Sequence, residues 1–199
     1  MPHTPKLLFF AGSARAGSLN RKLALLAAHI AEANGIAATF ADLGDYPMPL
    51  YDGDLEAQDG IPPNAHKLKA LMQVHSGIFI AAPEYNASIT PLLKNTLDWV
   101  SRIRDEGEAQ MDVYRSRVFS ISSASQTAYG GVRGLIMLRQ TLAVGLGALV
   151  LPEQITIARA QDAFDEHGHL KDKAQQERVK TLVSKLARAA RVLHGKEQD

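Results

Sequence analysis

The 199 residues contain no cysteine. Disulfides, thiolate nucleophiles, iron–sulfur clusters and cysteine-ligated zinc are excluded, so any redox chemistry must be carried by a bound cofactor. An excess of either charge is missing too: 22 Lys and Arg stand against 21 Asp and Glu, for a formal net charge of +1. That balance gives no reason to expect nucleic acid or an anionic membrane as partner. Long apolar runs are also absent. Leu7 to Ala11 is too short for a signal-peptide core, and nothing approaches the ~20 apolar residues of a membrane span, so a cytoplasmic protein is expected. No serine sits in a Gly-x-Ser-x-Gly elbow, which leaves a hydrolase triad without support.

What is present reads as alternating strands and helices. At 199 residues, 46% hydrophobic and 22% charged, the chain suits one soluble domain spanning residues 1–199. Leu7 to Ala11 is a continuous apolar strand of the kind covered on both faces. From Ser18, Leu19, Leu23, Leu26, Ala27 and Ile30 recur at helical spacing until Gly35. Ala37 to Leu43 reads as a second strand and Asp45 to Pro63 as a long surface loop. Leu68, Leu71, Met72 and His75 mark a helix, Gly77 to Ala82 a third strand, and Pro91 to Arg102 the next helix. Asp105 to Ser116 reads as polar connection, Arg117 to Ser122 as a fourth strand, and Val132 to Leu146 as an apolar helix. Ala148 to Ile157 reads as one strand bent at Pro152, and Val179 to Leu193 draws the stripe of a last helix. Parallel strands need helix-length, right-handed crossovers. The pattern therefore predicts an α/β fold: a flavodoxin-like, doubly wound, five-stranded parallel sheet of order 2-1-3-4-5 with helices on both faces. The basic residues Lys180, Lys185, Arg188 and Arg191 read as the solvated face of the last helix.

Two turns at the carboxyl edge of that sheet carry the candidate chemistry. Gly12-Ser13-Ala14-Arg15-Ala16-Gly17-Ser18-Leu19-Asn20 leads from the first strand into a helix. It offers helix N-terminal N–H groups, two hydroxyls, an amide and a forked cation, all suited to phosphate. Read singly, Ser18 is an N-cap and Gly12 a tight turn. The Gly12 to Gly17 spacing imitates a P-loop, but Ser18 stands where that motif has lysine. The loop is also not Gly-x-Gly-x-x-Gly, so a pyrophosphate is disfavoured. A single phosphomonoester remains, and FMN carries one.

The second turn, Pro83-Glu84-Tyr85-Asn86, leaves the third strand rigidly because proline fixes its own backbone and restricts Ala82. Backbone N–H groups of Tyr85 and Asn86 beside the tyrosine ring suit a flat ligand with polar edges, such as an isoalloxazine. The alternative is a surface turn whose Asn86 or Ser88 caps the next helix. The fourth strand ends in Ser122-Ser123-Ala124-Ser125, small residues that let a ligand lie against backbone. Gly130-Gly131-x-x-Gly134 reads as close packing at a helix start. Trp99 lies off the Leu93, Leu97, Val100 stripe and fits either core or a subunit contact. His167-x-His169 lacks helical spacing and a third ligand, so no metal site is expected.

Together these stretches resemble the NADPH-dependent FMN reductase family, which includes quinone and chromate reductases. Gly12-Ser13-x-Arg15-x-x-Ser18-x-Asn20 resembles its phosphate loop, and Pro83-Glu84-Tyr85-Asn86-x-Ser88 with Leu93-Lys94-Asn95-x-x-Asp98-Trp99-x-Ser101-Arg102 its most specific signature. Gly130-Gly131-x-Arg133, Leu138-Arg139-Gln140 and the segment from Ala163 to Leu170 also resemble family segments. Thr90-Pro91 stands where the family more often has Pro-Gly. By resemblance, Ser13, Arg15, Ser18, Leu19 and Asn20 hold the FMN phosphate, while Pro83, Glu84, Tyr85, Asn86, Ser122 and Ser123 contact the ring and ribityl chain. The resemblance implies an FMN-dependent NAD(P)H oxidoreductase that takes hydride at flavin N5 and passes electrons to quinones or similar small-molecule acceptors. It also implies a homodimer or homotetramer with a site partly built across subunits, and it requires no catalytic side chain. One rival is a flavodoxin-type FMN electron carrier without NAD(P)H turnover; such carriers tend to be strongly acidic, and this chain is not. A second rival keeps the fold and binds another phosphorylated metabolite.

Overall fold

The computed structural model describes residues 5–194. Its strands in chain order are β1 (Lys6–Ala11), β2 (Ala37–Ala41), β3 (Gly77–Ala81), β4 (Glu84–Tyr85), β5 (Ser88–Ile89), β6 (Val118–Ala124) and β7 (Leu149–Ile157). Five of them form one parallel sheet in the order β2-β1-β3-β6-β7, while β4 and β5 pair as a separate antiparallel hairpin. With the hairpin set aside, the sheet strands run 2-1-3-4-5, the order expected from the sequence. β1 and β3 run side by side from Leu7↔Gly77 to Ala11↔Ala81. Chain leaving them at the carboxyl edge departs in opposite directions and opens a crevice.

The central strands are apolar on both faces because helices cover both. Leu8, Phe10, Ile78, Ile80, Phe119 and Ile121 face a core shared with α3 (Pro63–Gln73), α4 (Pro91–Arg102) and α6 (Val132–Gln140). Leu7, Phe9, Ala11, Phe79 and Ala81 face the opposite core, shared with α1 (Leu19–Ala33) and α7 (Lys173–His194). Phe9, Phe79 and Phe119 are fully buried, each contributing about 1.5–3 kcal/mol of apolar transfer free energy. Among the described residues no helix is long and apolar enough to cross a membrane.

Several elements depart from the sequence reading. The expected surface loop Asp45 to Pro63 contains α2 (Gly53–Asp59), capped by the Asp52 carboxylate and followed by Gly60 at φ +77°. None of its residues is buried, so it carries no hydrophobic periodicity to find. The polar connection Asp105 to Ser116 ends in the single turn α5 (Asp112–Arg115). Its first part is pinned by buried Lys69, whose ammonium lies 2.7 Å from Asp105 and also pairs with Glu108. The α-helix expected from Val132 to Leu146 gives way at Thr141 to a π-turn, Thr141–Gly145. β7 is indeed one strand interrupted near Pro152: its register with β6 shifts between Phe119 and Ile121. There Arg139 donates to the carbonyls of Leu151 (2.7 Å) and Pro152 (3.3 Å). Trp99 is core. It is fully buried, its Nε1 donates to Pro49 O at 2.7 Å, and Tyr51 meets it edge-on at 5.0 Å.

Candidate functional site

The turn after β1 is held in place before it does anything else. Gly12 N–H continues the ladder to Ala81 O at 2.9 Å. A side chain at Gly12 would meet Leu93 at 3.0 Å, so glycine allows α4 to press against the turn. Thr90 then fastens the contact: its hydroxyl donates to Gly12 O at 2.6 Å and accepts the Leu93 N–H at 3.2 Å as the N-cap of α4. This is the position where the sequence departs from the family pattern, and the hydroxyl is put to use.

Beyond Gly12 the polar groups converge. Ser13 accepts the Arg15 N–H at 3.3 Å. Ser18 caps α1 by accepting the Arg21 N–H at 3.2 Å, which leaves its own hydrogen to donate. The first N–H groups of α1, at Leu19 and Asn20, belong to the turn that has no intrahelical acceptor and carries the positive end of the helix dipole. Arg15 is exposed beside them, and among the described residues its guanidinium makes no ion pair.

Across the crevice, Pro83 and the β4–β5 hairpin form the second wall. The hairpin closes in two residues, with Asn86 at φ +49° and Ala87 at φ +62°, the backbone of a type I′ turn. Tyr85 is half exposed on it. Glu84 turns inward and joins the hairpin to α6: it pairs with Arg133 and accepts the Gly134 N–H at 3.1 Å. Burial would raise the Glu84 pKa, but Arg133 and the backbone donors outweigh it, and the carboxyl is held below its usual range. The glycines of Gly130-Gly131-x-x-Gly134 serve close packing. Gly131, at φ +86°, lies so near Ser123 that an added Cβ would stand 2.0 Å from its hydroxyl.

One cleft of about 630 Å³, its mouth open to solvent, joins the two turns. It is lined by Ser13, Arg15, Ser18, Leu19 and Asn20 on one side and Pro83, Glu84 and Tyr85 on the other. Eight of the sequence-predicted residues thus meet in one place. Three do not line it: Asn86 sits at the hairpin tip, and Ser122 and Ser123 are wholly enclosed in β6. Ser122 donates to Ile80 O at 3.3 Å, while the Ser123 hydroxyl has no partner among the described residues. Lining from that strand comes instead from Ala124, Ser125, Gln126 and Thr127. Ala124 and Ser125 belong to the small-residue strand end singled out in the sequence, whereas Gln126 and Thr127 carry no motif beyond their place after a buried strand.

Residues 5–162 match the family described as NADPH-dependent FMN reductase. An NAD(P)H-dependent FMN reductase of Pseudomonas aeruginosa is 32% identical over 191 residues, covering 96% of this chain and 97% of that protein. A quinone reductase of Escherichia coli is 35% identical over 140 residues, 70% of each chain. Among solved structures, the flavoenzyme NAD(P)H:(acceptor) oxidoreductase FerB of Paracoccus denitrificans superposes with a TM-score of 0.74 at 24% identity, covering 94% of this chain and 97% of that one. That likeness establishes the fold.

Proposed function

We propose a function from one premise: the chain belongs to the NADPH-dependent FMN reductase family. It acts as an FMN-dependent NAD(P)H oxidoreductase whose acceptors are quinones or similar small molecules. The observation that carries this reading is the unpaired Arg15 guanidinium at the N-terminus of α1, in the same cleft as the Tyr85 ring. The residues present fit FMN. Arg15, Ser13, Ser18 and the α1 N–H groups suit one phosphate, and the cleft between Pro83, Tyr85 and the 124–127 segment admits a flat ring edged by backbone. When bound, FMN supplies the centre that takes hydride from NAD(P)H and returns two electrons to the acceptor.

The chain itself positions and encloses. Arg15 and the dipole of α1 anchor the phosphate. Pro83 and Tyr85 wall the ring, and Ser125 to Thr127 offer backbone and hydroxyl groups along its other side. Among the described residues Glu84 is the only carboxylate lining the cleft, and Arg133 and the Gly134 N–H hold its pKa below the usual range, which makes it a weak general base. Catalysis therefore needs no side-chain acid or base. A +1 chain lacks the acidic surface of a flavodoxin-type carrier. Steady-state NADPH and NADH oxidation with added quinone tests the assignment: turnover that requires FMN supports it, and FMN binding without turnover rejects it.

We also infer a homodimer or homotetramer located in the cytoplasm. In support, Ile136, Met137 and Val144 leave an apolar stripe exposed along α6 and the turn that follows it. The lack of cysteine suits a reducing compartment.

A further inference from the structure

We propose that Asn20 is a positioning residue: its side-chain amide latches the anion-binding turn to the end of β6 and fixes the crevice before flavin enters. This rests on reading the crevice as an FMN site. Asn20 lies in the first turn of α1 and is 3% exposed. Both ends of its amide are engaged by one residue 104 positions away. Nδ2 donates to Ala124 O at 2.8 Å, and Oδ1 accepts the Ala124 N–H at 2.9 Å.

The need for this pair arises in β3. The last bond from that chain to β6 runs from Ala82 N–H to Ser122 O at 2.8 Å. The chain then leaves the sheet at Pro83, before Glu84 can offer β6 the next N–H of the ladder. Ala124 therefore extends past its neighbour with one donor and one acceptor facing the gap, at a position 4% exposed. Left unpaired, each group would cost roughly tenfold in equilibrium. A primary amide carries the same donor and acceptor as a peptide group, and Asn20 fills the place of the missing strand residue. An oxygen that accepts from Ala124 cannot serve an anion, and at most one Nδ2 hydrogen remains for a ligand. Ser125, Gln126 and Thr127 follow directly and line the cleft, so holding Ala124 sets where they stand.

Riboflavin has the ring and ribityl chain of FMN without the phosphate, and it separates a latch from a phosphate ligand. Asn20→Ala is expected to weaken riboflavin and FMN by the same factor, roughly tenfold. Asn20→Asp adds a pH readout. A protonated carboxyl can still donate to Ala124 O and accept its N–H, whereas the ionised form repels the carbonyl. Riboflavin affinity of this variant is expected to approach wild type near about pH 4–5 and to fall roughly tenfold by about pH 8, with wild type flat across the range. A loss in Asn20→Ala confined to FMN, or no pH dependence in Asn20→Asp, overturns the proposal. Amide hydrogen exchange of the flavin-free wild-type chain decides it without variants: slow exchange at Ala124 supports the latch, and exchange at the open-chain rate overturns it. A wild-type chain that binds neither flavin sinks the FMN reading, and the Ala124 amide still decides the latch.

Discussion

Arg15 and Asn20 stand on the same turn, and a motif would give them the same job. Arg15 keeps an unpaired cation at the mouth of the cleft, whereas the amide of Asn20 is spent on Ala124. Arg15→Ala is expected to weaken FMN by ~1.5–3 kcal/mol, the loss of a charge-assisted contact, and to leave riboflavin affinity unchanged. Isothermal titration of both ligands checks it. Glu84 makes a prediction about acid stability. Its folded pKa is depressed, so its pairing stabilises the protein fully above the ordinary glutamate range and is lost as pH falls through the folded value. Between about pH 5 and pH 3, the thermal midpoint of wild type should fall more steeply than that of Glu84→Gln. Equal slopes would mean that the pair with Arg133 does not hold the hairpin. Arg15 and Ser18 were legible in the sequence because a strand-to-helix turn advertises its donors. The partner of Asn20 was not, because nothing local marks a bond to a backbone 104 residues away. The inward turn of Glu84 was hidden for the same reason.

Among elements, the β4–β5 hairpin departs most from what its sequence suggests. A two-residue type I′ turn favours Asn-Gly, and here Asn86 is followed by Ala87 at φ +62°. A Cβ in the left-handed region is strained, so Ala87→Gly is expected to stabilise the protein by about 0.5–1 kcal/mol. Denaturant unfolding with an unchanged m-value measures it; a destabilised variant would show that the turn is not strained. One helix bounded by strong signals was readable to the residue. α4 runs Pro91–Arg102 as its Thr-Pro start and Arg end predict. α2 and α5 were not readable, because α2 sets only Leu55, partly buried, against the core and α5 is a single turn held by its neighbours. Ser122 and Ser123 mark a third kind of departure, one of strand length. β6 runs two residues beyond the expected Arg117 to Ser122, to Ala124, so Ser122 and Ser123 lie inside the sheet.

For the whole molecule, alternation of buried strands and amphipathic helices was enough to give the sheet order, because right-handed crossovers leave few alternatives. It was also enough to bring two turns from distant sequence to one edge. Ile136, Met137 and Val144 are exposed apolar side chains on α6 and the turn after it, and the inferred assembly would cover them. Light scattering is expected to report a mass of two or four chains, and Ile136→Lys with Val144→Lys to shift it toward one; a monomeric wild type would reject the assembly. The central claim is that the two turns close on FMN and expose it to NAD(P)H. Its most direct measurement is the visible absorption of protein reconstituted with FMN, desalted, and read without oxygen before and after NADPH. A flavin spectrum that stays with the protein, bleaches on NADPH and returns on adding quinone is the predicted result. Protein that emerges colourless, or stays yellow under both NADPH and NADH, would contradict it.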